Sequence, residues 1–401
     1  MALQVALWCC MATMAITVAF YTRDALHPGV MMSGLWTIVA AAYLVLPHEM
    51  RPLRSETLLL VCAAVLAFVV GSLSVTVAAP PDRSAQLQST AVRQILFWLA
   101  LIGLPAFAWR ALEIAESAAF TESTIINLRI ALTGEFEDAQ TYGVLGYLVP
   151  VSFTSTLVEL ASSQRRLFER RGWIALIVSL SYAVLSTGRT FLFVILISLA
   201  FIALIQKRLR PATMLWVGMA MLAGAFFGLG WLFNKIGDDS PNAYALGAVD
   251  AVSLYLLGSL AAFDHTLAQP VAPLEWGLTT FRSVMAVLAA AGADVKVVPL
   301  VKEYVFVPEA TNVFTVFLPY LQDFGITGTV LFMALFGWMH ARLYRAAKSQ
   351  DPRLVILYAL SVYPLLMQFF QDQYFSLLTT WIVFTMLVLM SFRRQPANTP
   401  G

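Results

Sequence analysis

Apolar residues in this chain fall into long unbroken runs, without the every-third-or-fourth spacing of a surface helix or the alternation of a half-buried strand. Eleven runs stand near residues 2–20, 30–46, 57–79, 92–109, 141–160, 172–187, 190–206, 212–233, 326–341, 354–370 and 376–392. A helix rising about 1.5 Å per residue needs roughly twenty apolar residues to cross a hydrocarbon layer about 30 Å thick. The pattern therefore predicts an all-α polytopic membrane protein with about 11 transmembrane helices, forming a single integral membrane domain over 1–401. Strands of a membrane barrel would alternate, and these runs do not. The first run has no basic segment before it and is expected to be a retained span. The sixth and seventh are short and close enough to predict a tight hairpin, with Gly188 allowing the reversal.

Two intervals interrupt the apolar pattern, one at about 110–140 and a larger one at about 234–325. The second is too long for a simple connector. Its apolar stretches, Val249 to Phe263 and Thr279 to Ala291, are short, as expected of interfacial or re-entrant helices packed on the bundle.

Composition sharpens this picture. Hydrophobic residues make up 60% of the 401 and charged residues only 12%, about half the usual charged share, which excludes a soluble enzyme of this size. The net charge of +2 gives no reason to expect nucleic acid as a partner; the expected surroundings are membrane lipid. Cys9, Cys10 and Cys62 sit within apolar runs and have neither metal-ligand spacing nor a disulfide pattern. Lys and Arg cluster around 23, 83–93, 165–171, 207–210, 342–353 and 393–394, and by the positive-inside rule these loops and the C-terminus face the cytoplasm. Both long intervals then lie outside. Arg51 and Arg54 resist this assignment and leave the N-terminal orientation open.

Few polar residues remain for chemistry. Ser186-Thr187-Gly188-Arg189-Thr190 places a guanidinium at an outer membrane junction, where it needs a partner or a wet cavity. A diphosphate on a lipid carrier suits its fork of donors; the alternative is a snorkelling arginine that caps the hairpin. Arg129 and Arg282 each stand alone in an apolar outer stretch, either satisfying a carboxylate or helix end or converging into an anion site. Asn312, Thr315, Pro319 and Gln322 recur near helical spacing and predict a polar stripe for sugar hydroxyls, with Tyr320 among the aromatics able to stack on a sugar face. Asp323 could instead cap the ninth span, with Gly325 easing the turn. Asp264-His265, after an apolar helix, offers a carboxylate for general base work or is simply a surface loop. Glu135-Phe136-Glu137-Asp138 and Asp238-Asp239 could hold a divalent ion or just face solvent.

Together with His27-Pro28 ahead of the Trp36 span, these motifs resemble the oligosaccharide repeat-unit polymerases of bacterial O-antigen and exopolysaccharide assembly, the Wzy family. The residues carrying the resemblance are Arg129, the segment Ser186 to Thr190, and Thr311 to Thr315 with Asp323-Phe324-Gly325. The resemblance implies an inner-membrane glycosyltransferase resembling the GT-C type, with its site facing the periplasm. Such an enzyme moves a growing glycan from undecaprenyl diphosphate to the non-reducing end of a lipid-linked repeat unit, beside a flippase and a chain-length regulator. Similar enzymes work without a metal, so no cofactor is expected. Arg189 and Arg282, then Arg129, would hold the diphosphate; Asp323 or Asp264 would orient or deprotonate the acceptor. Asn312, Thr315, Tyr320, Gln322 and Thr190 would contact substrate. An O-antigen ligase shares the donor, and a lipid-linked oligosaccharide flippase or transporter would also place arginines at membrane level.

Overall fold

The computed structural model describes residues 2–75, 87–118, 121–133, 140–163, 169–210, 252–269, 274–299 and 302–394, with single positions at 213 and 224. Hydrocarbon offers no water to the backbone, so apolar runs must bond internally as helices. Ten of the eleven predicted runs do so. They are α1 (Ala2–Thr22), α2 (Pro28–Val45), α3 (Ser55–Leu73), α4 (Ala91–Ser117), α6 (Leu148–Ser162), α7 (Arg170–Leu185), α8 (Arg189–Ile205), α11 (Phe317–Ala347), α12 (Pro352–Leu366) and α13 (Leu378–Met390). The eighth run, near 212–233, lies outside the described residues. Among the described residues six helices are long and apolar enough to cross a membrane: α1, α2, α3, α4, the stretch Gly143–Ser162 containing α6, and α11. Three more apolar helices are shorter. The interruptions carry the short helices α5 (Thr124–Thr133), α9 (Ser259–Leu267) and α10 (Arg282–Ala290). Among the described residues strand is confined to two antiparallel pairs, β1 (Leu87–Ser89) with β4 (Phe392–Arg394) and β2 (Val305–Phe306) with β3 (Ala310–Thr311).

By contact the chain divides into two units, each assembled from separated stretches. The first comprises Met1–Ala79, Leu246–Arg345 and Tyr363–Thr379. Its core gathers Trp36, Phe68, Phe317, Tyr320 and Phe336, with Trp36 stacked on Phe317 at 5.1 Å. His27-Pro28 has a local explanation here. His27 caps α2, its Nδ1 accepting from the Gly29 amide at 3.2 Å, and Pro28 opens the helix where its missing N–H costs nothing. The backbones of α3 and α11 touch: a Cβ on Gly71 would lie 2.0 Å from the Ala334 carbonyl, and one on Gly337 would lie 2.0 Å from that of Phe68. Small residues at such crossings let membrane helices gain packing that lipid cannot supply. The Tyr344 hydroxyl donates to Asp24 at 2.7 Å, which puts the basic end of α11 beside the α1–α2 turn with Arg23.

The opposite end of the first unit holds the α2–α3 connection against the large interruption. Arg54 ion-pairs with Asp264 at 3.7 Å, its guanidinium donates to the Asp264 carbonyl, and Thr57 donates to the same carboxylate at 2.5 Å. This explains why Arg54 resisted the charge rule. Its countercharge is 210 residues away in sequence, on α9. Asp264-His265 thus belongs to a helix, where the alternative reading had a surface loop.

The second unit comprises Pro80–Ala245, Ala346–Val362 and Thr380–Gly401. α6 runs through its centre, with every residue from Leu148 to Ala161 buried. One end collects the cation clusters at 93, 171, 208 and 393–394. β1 pairs with β4, Arg93 and Arg171 grip Glu159, and Arg208 donates to the Leu160 and Ser163 carbonyls. At its other end α5 packs Leu128 and Ala131 against Ala111, Ile114 and Ala115, with Tyr142 and Leu185 at the margin.

Candidate functional site

The first unit's polar chemistry centres on a break in α11. Gly325 adopts φ 68° and ψ −167°, so the helix runs to Phe324, turns, and restarts. A side chain would resist that left-handed φ, which glycine takes freely. Asp323, just before the break, is fully buried and does not cap its own helix. Its two oxygens instead accept from the backbone amides of Thr279 at 3.2 Å and Thr280 at 2.5 Å. The Glu275 amide donates to the Gln322 carbonyl and the Trp276 amide to that of Asp323, so the whole turn 275–281 is pinned to the broken helix. Phe281 seals it from below, 5.2 Å from Phe375 and 6.2 Å from Phe324.

Arg282 follows this turn as the first residue of α10. Its Nε donates to the Val298 carbonyl at 2.7 Å, and its four Nη–H donors have no partner among the described residues. The guanidinium is therefore oriented from one side while its fork stays open. A rigid fork of this kind matches phosphate or carboxylate oxygens in pairs. The structure brings Asp323 and Arg282 together in this sense: the carboxylate holds the backbone that carries the arginine.

Lys302 is the nearby residue that sequence reasoning left unassigned. Its ammonium donates to Gln322 Oε1 at 2.6 Å and lies 5.9 Å from the Phe314 ring centre. Burial lowers its pKa, opposed by the charges of Glu275 and Asp323. The signal was there, because Lys302 is a lone cation in the apolar stretch from Val297 to Val307, the same pattern that singled out Arg129 and Arg282.

The predicted sugar-binding stripe is not a helical face. Asn312 and Thr315 lie in an extended segment before α11, and only Pro319 and Gln322 are on the helix. Thr315 is wholly buried and its hydroxyl has no partner among the described residues, as is true of the Thr280 hydroxyl on the pinned turn. Tyr320 is also wholly buried. Its ring stacks on Phe332 at 4.8 Å and its hydroxyl donates to Asp372 at 2.7 Å, which leaves no open face for a sugar. Burial pushes the Asp372 carboxyl above the usual range, while the Tyr320 hydroxyl and the amides of Tyr374, Phe375 and Ser376 pull it back. Asp264 is occupied by Arg54 and Thr57, as described above.

Arg129 and Arg189 belong to the second unit. Arg129 is half-buried on α5, and Arg189 opens α8, with Thr190 beside it, four residues after Leu185 in the cluster onto which α5 packs. The α7–α8 reversal is made by Thr187, at φ 52°, whereas Gly188 has φ −86°; the glycine expectation is corrected on that point. The acidic pairs considered for a divalent ion, at 135–138 and 238–239, lie outside the described residues. Among the described residues no group of three or more His, Cys, Asp or Glu is placed to hold a metal.

Comparison with known proteins adds what geometry alone does not supply. A family model described as "Putative O-antigen polymerase" matches residues 30–367. The chain belongs to this O-antigen polymerase family. An O-antigen polymerase of Shigella dysenteriae is 24% identical over 255 residues, which is 62% of this chain and 63% of that one. A protein of Escherichia coli (strain K12), with the same description as the family model, is 25% identical over 222 residues, 54% of this chain and 52% of its own length. The chain thus spans between half and two thirds of the length of these relatives. No solved structure matches it. The family match takes in Arg129, Arg189, Arg282 and the whole of 302–325.

Proposed function

We propose that the protein is a polysaccharide polymerase of the bacterial inner membrane. It moves a growing glycan from undecaprenyl diphosphate to the non-reducing end of an incoming lipid-linked repeat unit. By the positive-inside rule the basic loops and the C-terminus face the cytoplasm, and the large interruption at about 234–325 faces the periplasm. The observation carrying this reading is Arg282: a guanidinium oriented by the Val298 carbonyl, with no carboxylate partner among the described residues and its fork open.

The chemistry needs such a group. An acceptor hydroxyl oxygen attacks the anomeric carbon and gives up its proton to solvent water, the bond from that carbon to the diphosphate oxygen breaks, and the electron pair leaves on the lipid diphosphate. Donors that bind this charge most tightly as it develops lower the barrier. Arg282 does this in the first unit; the sequence pattern alone supports giving Arg189, then Arg129, with Thr190, a diphosphate-binding role. Lys302 adds a further cation. Asp323 acts by positioning Arg282, since both its oxygens are already bonded to amides. Asn312 and Gln322 are the candidates for contact with an acceptor sugar, Thr315 being wholly buried. No resident metal enters this mechanism. A flippase and a chain-length regulator are the expected partners.

The test uses purified protein in nanodiscs with synthetic undecaprenyl-diphosphate repeat units, with and without chelator. A ladder of products with and without chelator supports polymerisation free of metal. Transfer to lipid A core in place of a ladder would replace this reading with a ligase.

A further inference from the structure

α10 presents an unusual surface. None of its nine residues is buried, although its composition is apolar. Val284, Val287 and Leu288, spaced to share one helical face, are all exposed, Val287 by 66%. Large side chains on the adjoining segments are exposed too: Trp276 by 75%, Tyr304 by 63% and Phe306 by 73%. An apolar helical face of this sort in a folded protein is covered by something.

We propose that α10 lies in the lipid–water interface of the bilayer on the side of the α11 break, with its Val284, Val287 and Leu288 face in the boundary between headgroups and acyl chains. Three observations choose lipid over a protein partner. The first is depth. Asp323, which holds the amides of Thr279 and Thr280, lies three residues before Ile326, where the long apolar run of α11 begins. The start of α10 is thereby tied to the α11 break, beside the run expected to enter hydrocarbon. The second is charge. α10 carries a cation, Arg282, and no acid, as suits phosphate headgroups. The third is the exposed Trp276 and Tyr304, residue types that collect at membrane interfaces because one end is apolar and the other polar.

The consequence concerns substrate access. Arg282, at the first position of an interfacial helix, stands at the level of lipid phosphates, so a lipid-linked diphosphate reaches it by lateral diffusion without leaving the bilayer. The placement itself does not depend on which reaction follows.

The experiment is fluorescence quenching in proteoliposomes. In a background with Cys9, Cys10 and Cys62 changed to Ala, single probes are attached at Val287→Cys, at Leu288→Cys, and at Lys296→Cys as the water-facing comparison. Each preparation is first checked for a single sharp elution peak. Phosphatidylcholine brominated at a shallow acyl position should quench the probes at 287 and 288 at least about twofold more than the one at 296, and aqueous iodide should show the reverse order. Two results would overturn the proposal. Iodide reaching 287 and 288 as readily as 296 would put the face in water. Protection of both from both quenchers would mean that a second copy or another protein covers it.

Discussion

Two charged regions of the molecule solve the same problem in opposite ways. At the basic end of the second unit, Glu159 is bound by Arg93 through two bonds of 2.6 and 3.0 Å and paired with Arg171 at 3.0 Å, and the Arg171 guanidinium also lies over the Phe97 ring. In the first unit, around the α11 break, Arg282 bonds a carbonyl, Lys302 a side-chain amide, and Asp323 two backbone amides. The first arrangement sets charge directly against charge, two guanidiniums on one carboxylate. The second fixes each group by neutral partners and leaves its charge to act on something else. Closed ion clusters hold a fold, whereas cations held by neutral groups are prepared for an anion that arrives later.

Substitutions can break or sharpen this contrast, and thermal unfolding in nanodiscs ranks them. Glu159→Ala has the largest effect, because it strands two partly buried guanidiniums. Loss of about 3–5 kcal/mol is expected, visible as a collapse in yield and unfolding temperature. Asp323→Ala removes two bonds from amides to a carboxylate, worth about 1.5–3 kcal/mol each before solvent compensates. Unfolding temperature should fall, and polymer should be lost with it as Arg282 shifts. Asp264→Asn keeps an oxygen for Thr57 and the Arg54 amide, so it should lower stability by less than about 1 kcal/mol and leave polymer length unchanged; loss of polymer without instability would restore Asp264 to the chemistry. Lys302→Met should cost no stability at neutral pH. With the Lys302 pKa lowered from 10.5 by burial, the native chain binds fewer protons than the unfolded one between the lowered value and 10.5. Stability of the parent therefore rises with pH through that window, and the variant should lack the rise.

The contrast also shows what sequence can and cannot carry. Apolar runs are read one residue at a time, because crossing hydrocarbon is a property of each segment alone, and ten of the eleven became helices near their expected bounds. Pairings over long separations left no such trace. Arg54 looked misplaced until Asp264, far along the chain, supplied its countercharge. Asp323 looked like a cap on its own helix because capping is the local use of an aspartate, but its oxygens serve a turn more than forty residues earlier. The Asn312 to Gln322 stripe failed for a related reason. Helical spacing was assumed across a point where the chain is still extended, and the Pro319 that seemed part of the stripe lies in the first turn of α11. The lone-cation signal identified Arg282, and the same signal, applied evenly, would have raised Lys302.

The central claim is that Arg282 is held ready for a lipid diphosphate, and Arg282→Gln tests it most directly. The variant is assayed for product ladder from synthetic undecaprenyl-diphosphate repeat units in nanodiscs, beside the parent and Arg282→Lys. The account predicts an unfolding temperature equal to the parent's, a rate lowered by roughly 10²- to 10³-fold, and partial recovery with lysine. A stable Arg282→Gln protein that builds parental chain lengths at the parental rate would contradict it.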